Sequence, residues 1–158
     1  MNKIFLMGII SVFMLTACNE SKVVIDSEKI MRGDWTVTNV SFDGVDASHV
    51  NAVVFDEADP KCYIGSQWHL VQNNNSGNYN LQGSGNCPSG MTKIKWFVTD
   101  EGGARYFNFK KVYEGEKPKN VMDGYRMKIV TSTADYLVLR QDIRFEGSII
   151  GINYTFSK

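Results

Sequence analysis

Residues 91–112 read MTKIKWFVTDEGGARYFNFKKV, and this stretch carries the clearest structural pattern in the chain. In each half apolar residues alternate with polar ones, which is typical of β-strands with one buried face. The acidic and glycine residues at 100–103 are typical of a tight turn. The stretch therefore predicts a β-hairpin with one face in a core. The residues on that face are Ile94, Trp96, Val98, Phe107 and Phe109.

Similar runs of alternating or apolar residues recur along the chain and end at turn residues. They span 34–42, 52–55, 67–72, 78–82, 91–99, 105–112, 125–130, 136–141 and 148–156. In the first run the apolar spacing shifts between Val37 and Val40, which indicates a bulge or a strong bend. Ahead of this run, residues 26–32 are expected to form one or two helical turns, with Asp26 or Ser27 as N-cap.

Strands joined by sequential hairpins form an up-and-down sheet, and a last strand that pairs with the first closes it. We therefore predict an all-β fold for residues 26–158. It is an up-and-down antiparallel β-barrel of about eight strands, with a short N-terminal helical turn.

The N-terminal segment resembles a bacterial lipoprotein signal peptide. Lys3 precedes an apolar run at 4–15, which has the length of a signal-peptide core and is too short to span a bilayer. The run ends in LTAC at 15–18, which resembles the lipobox. The alternative is a buried N-terminal helix with a chance cysteine.

The lipobox resemblance implies that residues 1–17 are removed and that Cys18 carries palmitate-type acyl chains that attach the protein to a membrane. Residues 18–25 then form the lipidated tether. Asn19 rather than an aspartate follows Cys18, which favours the outer membrane of the cell envelope.

The charge of the chain is balanced, with 17 basic and 17 acidic residues. A neutral protein offers no basic field to attract nucleic acid. The lysines and aromatic residues of 91–112 resemble a nucleic-acid platform, but export and neutral charge argue against that function. We expect no nucleic-acid partner, and the sequence indicates no particular protein partner.

The chain has three cysteines, of which we expect one to carry lipid and two to pair with each other. With Cys18 lipidated, Cys62 and Cys87 remain, and two cysteines in an exported protein predict one disulfide. Two unpaired thiols are the alternative. A zinc site is not indicated, because the chain has only two histidines and no Cys-x-x-Cys pair.

No motif in the chain indicates an enzyme, a metal site or a cofactor. Ser66 follows Gly65 but lacks the second glycine of a nucleophile elbow. His69 lies in the middle of a strand, where a structural role is the more common one. The carboxylates at 56, 57 and 59 could bind calcium weakly, but a solvated acidic loop is the favoured interpretation.

The motif Gly33-Asp34-Trp35 after a helical turn resembles the Gly-x-Trp motif of lipocalins. With the lipobox, segment 62–68, the asparagine-rich hairpin, the loop around Cys87 and segment 136–140, the chain is similar to lipocalin-like lipoproteins of Bacteroidetes. This resemblance implies that Trp35 closes one end of the barrel. It also implies that a late arginine, Arg140 or Arg144, packs over the tryptophan.

The inward-facing residues form either a packed core or the lining of a ligand cavity. They are Trp35, Val37, Trp68, Leu70, Ile94, Trp96, Phe107, Phe109, Met127, Ile129, Leu137 and Leu139. An eight-stranded barrel is just wide enough to be filled by side chains or to hold one small ligand.

Two functions follow from these alternatives. The resemblance to lipocalins implies a carrier of a small hydrophobic ligand, and an open apolar pocket of roughly 300 Å³ or more would favour it. A solid core instead predicts an envelope interaction or structural module. Its binding loops would be 56–66, 83–90 and 113–123.

Overall fold

The computed structural model of the protein describes residues 21–121 and 124–158, and it confirms the predicted β-barrel. One helix, α1 (Lys22–Met31), precedes eight antiparallel strands in sequential order. The strands are β1 (Gly33–Asp43), β2 (Gln67–Val71), β3 (Ser76–Gln82), β4 (Ser89–Glu101), β5 (Ala104–Val112), β6 (Tyr125–Ser132), β7 (Tyr136–Phe145) and β8 (Ser148–Ser157).

Pairing of β1 with β8 closes the barrel. Thr36 lies opposite Gln67 of β2 and also opposite Ser157 of β8. The register with β8 shifts between Val37 and Asn39, so the predicted bulge in the first strand is confirmed. We call the barrel end that carries α1 and the first residue of β1 the closed end, and the opposite end the mouth.

The helix begins earlier than predicted. It starts at Lys22 rather than Asp26, and Ser21 is its N-cap, with Oγ accepting a hydrogen bond from the Val24 amide at 3.3 Å. Residues 22–25, predicted as tether, therefore belong to the helix. The reason is a buried stripe with helical spacing, which starts before position 26. Its residues are Val24, Ser27, Glu28 and Met31.

The predicted signal peptide and Cys18 lie outside the described residues. Within the described part of the chain, no helix is long and apolar enough to cross a membrane.

The predicted strand at 52–55 is wrong, because this segment reverses direction instead of extending. Phe55 and Asp56 have φ angles of 52° and 50°, in the left-handed region that L-residues rarely adopt. The turn is closed by a bridge between Val54 and Ala58. Its apolar residues therefore belong to the loop between β1 and β2 rather than to a ninth strand.

All twelve predicted inward-facing residues are buried, in one continuous core. At the closed end this core is capped by α1. The indole Nε1 of Trp35 donates to the carbonyl of Met31 at 2.7 Å, and a carboxylate oxygen of Glu28 accepts from the Val98 amide at 3.1 Å. The Glu28 contact lies on the part of β4 that extends beyond its pairing with β3.

The expectation that an arginine covers Trp35 is wrong. Arg140 lies on the outside of β7 and forms ion pairs with Asp43 and Asp142. Lys158 occupies the position over the indole instead, with its Nζ 4.6 Å from the ring centroid. The C-terminal end of β8 reaches the closed end beside Trp35, whereas Arg140 lies farther along its strand.

The predicted disulfide between Cys62 and Cys87 is confirmed, with 5.3 Å between the two Cα atoms. It ties the β1–β2 loop to the β3–β4 loop at the mouth. We name these two segments, 44–66 and 83–88, the plug loop and the disulfide-partner loop.

We predict that replacing both cysteines by serine, Cys62→Ser with Cys87→Ser, lowers the free energy of unfolding by about 3.5 kcal/mol, because the 25-residue closure no longer restricts the unfolded chain. Urea denaturation measures the loss. Reduction of the wild-type protein should lower its stability by the same amount and leave the double variant unchanged. Equal stability of variant and wild type would refute the prediction.

Candidate functional site

The plug loop folds into the barrel mouth rather than lying over it. Its buried side chains include Val50, Val54, Phe55, Ala58 and Tyr63, which are as inaccessible as the strand residues of the core. The loop returns to the barrel wall through two backbone hydrogen bonds, from Gly65 to Val37 and from Val37 to Ser66. The mouth is thereby occupied by the chain itself.

Phe55 is the centre of this plug. Its ring lies 5.1–5.8 Å from four other rings, and three of these contacts have the edge-to-face geometry that aromatic pairs favour. The four partners are Tyr63, Phe109, Tyr125 and Tyr154. A bulky residue in the left-handed region costs conformational energy, which this burial offsets. Phe55 fills the space in which a barrel ligand would lie.

A polar cluster holds the plug loop in place. The Nζ of Lys111 lies 3.0 Å from Oε2 of Glu57, and the Lys111 side chain is only 5% exposed. The hydroxyl of Tyr63 donates to the same oxygen at 3.0 Å, and the Tyr79 hydroxyl also donates to it. One carboxylate oxygen from the loop is thus shared by three donors, two of them from the barrel wall.

The protonation states of this cluster follow from its surroundings. Burial by itself would raise the pKa of Glu57, but hydrogen bonds from Tyr79 and Lys111 and the charge of Lys111 lower it below its ordinary value of 4.5. Burial raises the pKa of Tyr63 and Tyr79, and the carboxylate adds to the effect. Glu57 is therefore an anion, and both tyrosines remain donors.

Alternation along β5 is the signal that would have found Lys111. Phe107, Phe109 and Lys111 share the inward parity, and a lysine inside a barrel needs a carboxylate partner. That partner, Glu57, belongs to the acidic segment at 56–59. Phe55 itself carries no comparable signal, because its short apolar segment fits a strand equally well.

The three predicted loop carboxylates separate to different partners. Asp56 accepts from the Tyr125 hydroxyl at 2.9 Å, and Asp59 accepts from the Lys61 amide at 2.9 Å. Glu57 binds Lys111 instead. Among the residues the structure describes, no three His, Cys, Asp or Glu side chains converge on a metal position.

Several clefts lie on the outside of the barrel. Five clefts of about 260–600 Å³ open on the outer wall, at the mouth rim or beside α1, and none of these five is enclosed. The largest of them lies on the outer face of β1–β4, around His69. Cross-strand register brings Asp34, His69 and Asn78 into one outward row there.

The His69 cleft is polar. The imidazole Nδ1 lies 2.6 Å from a carboxylate oxygen of Asp34, and both side chains are solvent-exposed. In the described part of the chain no hydroxyl or thiol hydrogen-bonds the imidazole, so no nucleophile is positioned for a His–Asp pair to activate. The contact between His69 and Asp34 joins β2 to β1 on the outer surface of the barrel.

No protein-family model matches the chain, and no curated protein matches it significantly. The resemblance to lipocalins stays a prediction.

We predict that Lys111→Met destabilises the protein by about 3 kcal/mol, because Glu57 is left half-buried without its cation. Lys110→Met is the matched control, since the adjacent lysine points outward, and it should cost about 0.5 kcal/mol or less. Urea unfolding of both variants provides the comparison. Similar losses in the two variants would show that the ion pair does not hold the plug.

The Glu57 carboxylate also predicts a pH dependence. A carboxyl whose pKa is lowered by folding stabilises the protein above its unfolded pKa, and this contribution is lost as pH falls through the folded value. Unfolding free energies of wild type and Glu57→Gln should therefore differ at neutral pH and converge as pH falls below about 4.5. Urea titrations from neutral pH to about pH 3 measure the difference. A difference that stays constant with pH would count against the charged form.

Proposed function

We propose that this chain is a lipid-anchored, solid-core β-barrel that serves as an interaction module of the bacterial envelope. The observation that carries the proposal is the filled interior, with Phe55 among four aromatic rings. A barrel whose interior is filled by its own loop binds partners through its outer surface. The function therefore rests on the exposed loops at the mouth.

The position of the anchor supports this assignment of surfaces. Cys18 is the third residue before Ser21, and α1 starts at the closed end. Three extended residues reach about 10 Å, so acyl chains on Cys18 hold the closed end near the bilayer. The mouth then belongs to the part of the barrel that extends away from the anchor.

The mouth has the properties of a binding surface. The disulfide joins the plug loop and the disulfide-partner loop, so the two present a constrained surface. Large apolar side chains are exposed on this rim, with Val53 at 72% and Tyr113 at 57%. Ile64 and Ile149 are also exposed there. Apolar side chains held out on rigid loops are typical of protein–protein contact sites.

The carrier hypothesis requires Phe55 to leave its site. We predict that the acylated protein, purified from its own membranes in mild detergent, has the mass of the mature chain plus its acyl groups in native mass spectrometry. A fluorescent apolar dye should not bind the wild type. Phe55→Ala opens the interior and should bind the dye, because a cavity lined by aromatic rings accepts apolar molecules.

Val53→Ala is the matched control, since Val53 lies two residues from Phe55 but is solvent-exposed. It should leave dye binding unchanged. A lipid that copurifies with the wild type would contradict the solid-core proposal and favour the carrier. Cys18→Ser tests the anchor separately, and acyl mass retained in that variant would contradict lipidation at this cysteine.

A further inference from the structure

The outward faces of β4, β5 and β6 carry an excess of positive charge that the neutral chain as a whole does not reveal. Alternation turns five cationic side chains outward on these three strands. They are Lys93, Lys95, Lys110, Arg126 and Lys128. Among the described outward residues of these strands, Glu101 is the one carboxylate. We name this surface the basic face.

The basic face contains a cross-strand pair of like charges, which sheets usually avoid. Lys95 lies directly opposite Lys110, and like charges in this position destabilise a sheet. Each ammonium has one hydrogen bond, to the Asn74 carbonyl at 2.6 Å and the Val121 carbonyl at 3.3 Å. An ammonium has three donors, so both lysines keep N–H groups for an anion.

An aromatic residue lies among these cations. Phe97 is 51% exposed and lies opposite Asn108, which in turn lies opposite Arg126. Arg126 is fixed by an ion pair with Glu101 at 2.6 Å, and its guanidinium lies 3.6 Å from the Tyr106 ring centroid. Basic side chains around an exposed phenylalanine are the combination that binds anionic lipid surfaces.

The start of α1 lies beside the closed end of the same face. Ser21 and Val23 at the start of α1 line one cleft with Thr99 and Asp100 at the closed end of β4. Cys18 precedes Ser21 by three residues in the sequence, and a chain of three residues spans at most about 10 Å. Val23 is itself 49% exposed. The proposed acyl chains on Cys18 would therefore bring the bilayer to the edge of the basic face.

We propose that the basic face lies against the anionic headgroups of the membrane to which Cys18 is anchored. This inference rests on the proposed lipid anchor, and it tilts the barrel onto β4–β6. Segment 113–121 then turns toward the bilayer. The disulfide-tied plug loop is left as the free part of the mouth.

Tryptophan quenching by brominated lipids tests this orientation. Acylated full-length protein with Phe97→Trp is reconstituted into phosphatidylethanolamine vesicles with or without phosphatidylglycerol. The three native tryptophans are at most 3% exposed, so they give a weakly quenched background. We expect strong quenching of the new tryptophan in the anionic vesicles, and less at high salt.

Tyr136→Trp is the matched control, because Tyr136 is 44% exposed at the closed end but lies on β7. It should remain unquenched. A triple variant adds Lys95→Gln and Lys110→Gln to Phe97→Trp. Each lost lysine should lower the ratio of membrane-docked to undocked barrel about fivefold, so the two together should lower it about 25-fold. Thermal unfolding confirms that each variant is folded.

Three results would overturn the inference. Equal quenching at positions 97 and 136 means that the barrel stands upright on its closed end. An acylated protein that sediments with the vesicles but shows no quenching at position 97 overturns the basic face and leaves the anchor proposal intact. A chain without acyl mass overturns the proposed function, and this inference with it.

Discussion

The ammonium group of Lys111 lies inside the barrel, and a buried cation is tolerated only with a partner. Glu57 supplies that partner from the plug loop, 3.0 Å away. To reach it the loop must turn back into the mouth, through two residues in the left-handed region. The same turn carries Phe55 into the barrel. One electrostatic requirement thus decides that the interior is occupied and that the mouth is sealed.

The two ends of the barrel are closed by different means. At the closed end α1 supplies Met31 and Glu28, which accept hydrogen bonds from the Trp35 indole and from a strand amide. At the mouth a loop supplies aromatic rings and a carboxylate, and the disulfide secures it from outside. Helix and loop complete the core that the strands alone leave open at both ends.

Period-two alternation predicted the barrel and its inward residues because it is a local property of each strand. The same alternation gives Lys111 the inward parity of Phe107 and Phe109, but sequence analysis did not single it out. Its partner lies 54 positions away, in a loop whose conformation depends on the finished barrel. The apolar segment around Phe55 has the composition of a short strand, so sequence does not distinguish the two structures. Lys158 covers Trp35 because β8 ends there, a position that depends on register rather than on residue type.

The pairing of β1 with β8 constrains the order in which the protein folds. Thr36 lies opposite Ser157, so the seam joins the two ends of the described fold. Contacts this distant in sequence require a large loss of chain entropy before they form, and they slow folding. The final strand must be present before the first acquires its second neighbour. The barrel is therefore completed only after β8 has been synthesised, and until then β1 is an open edge that other chains can pair with.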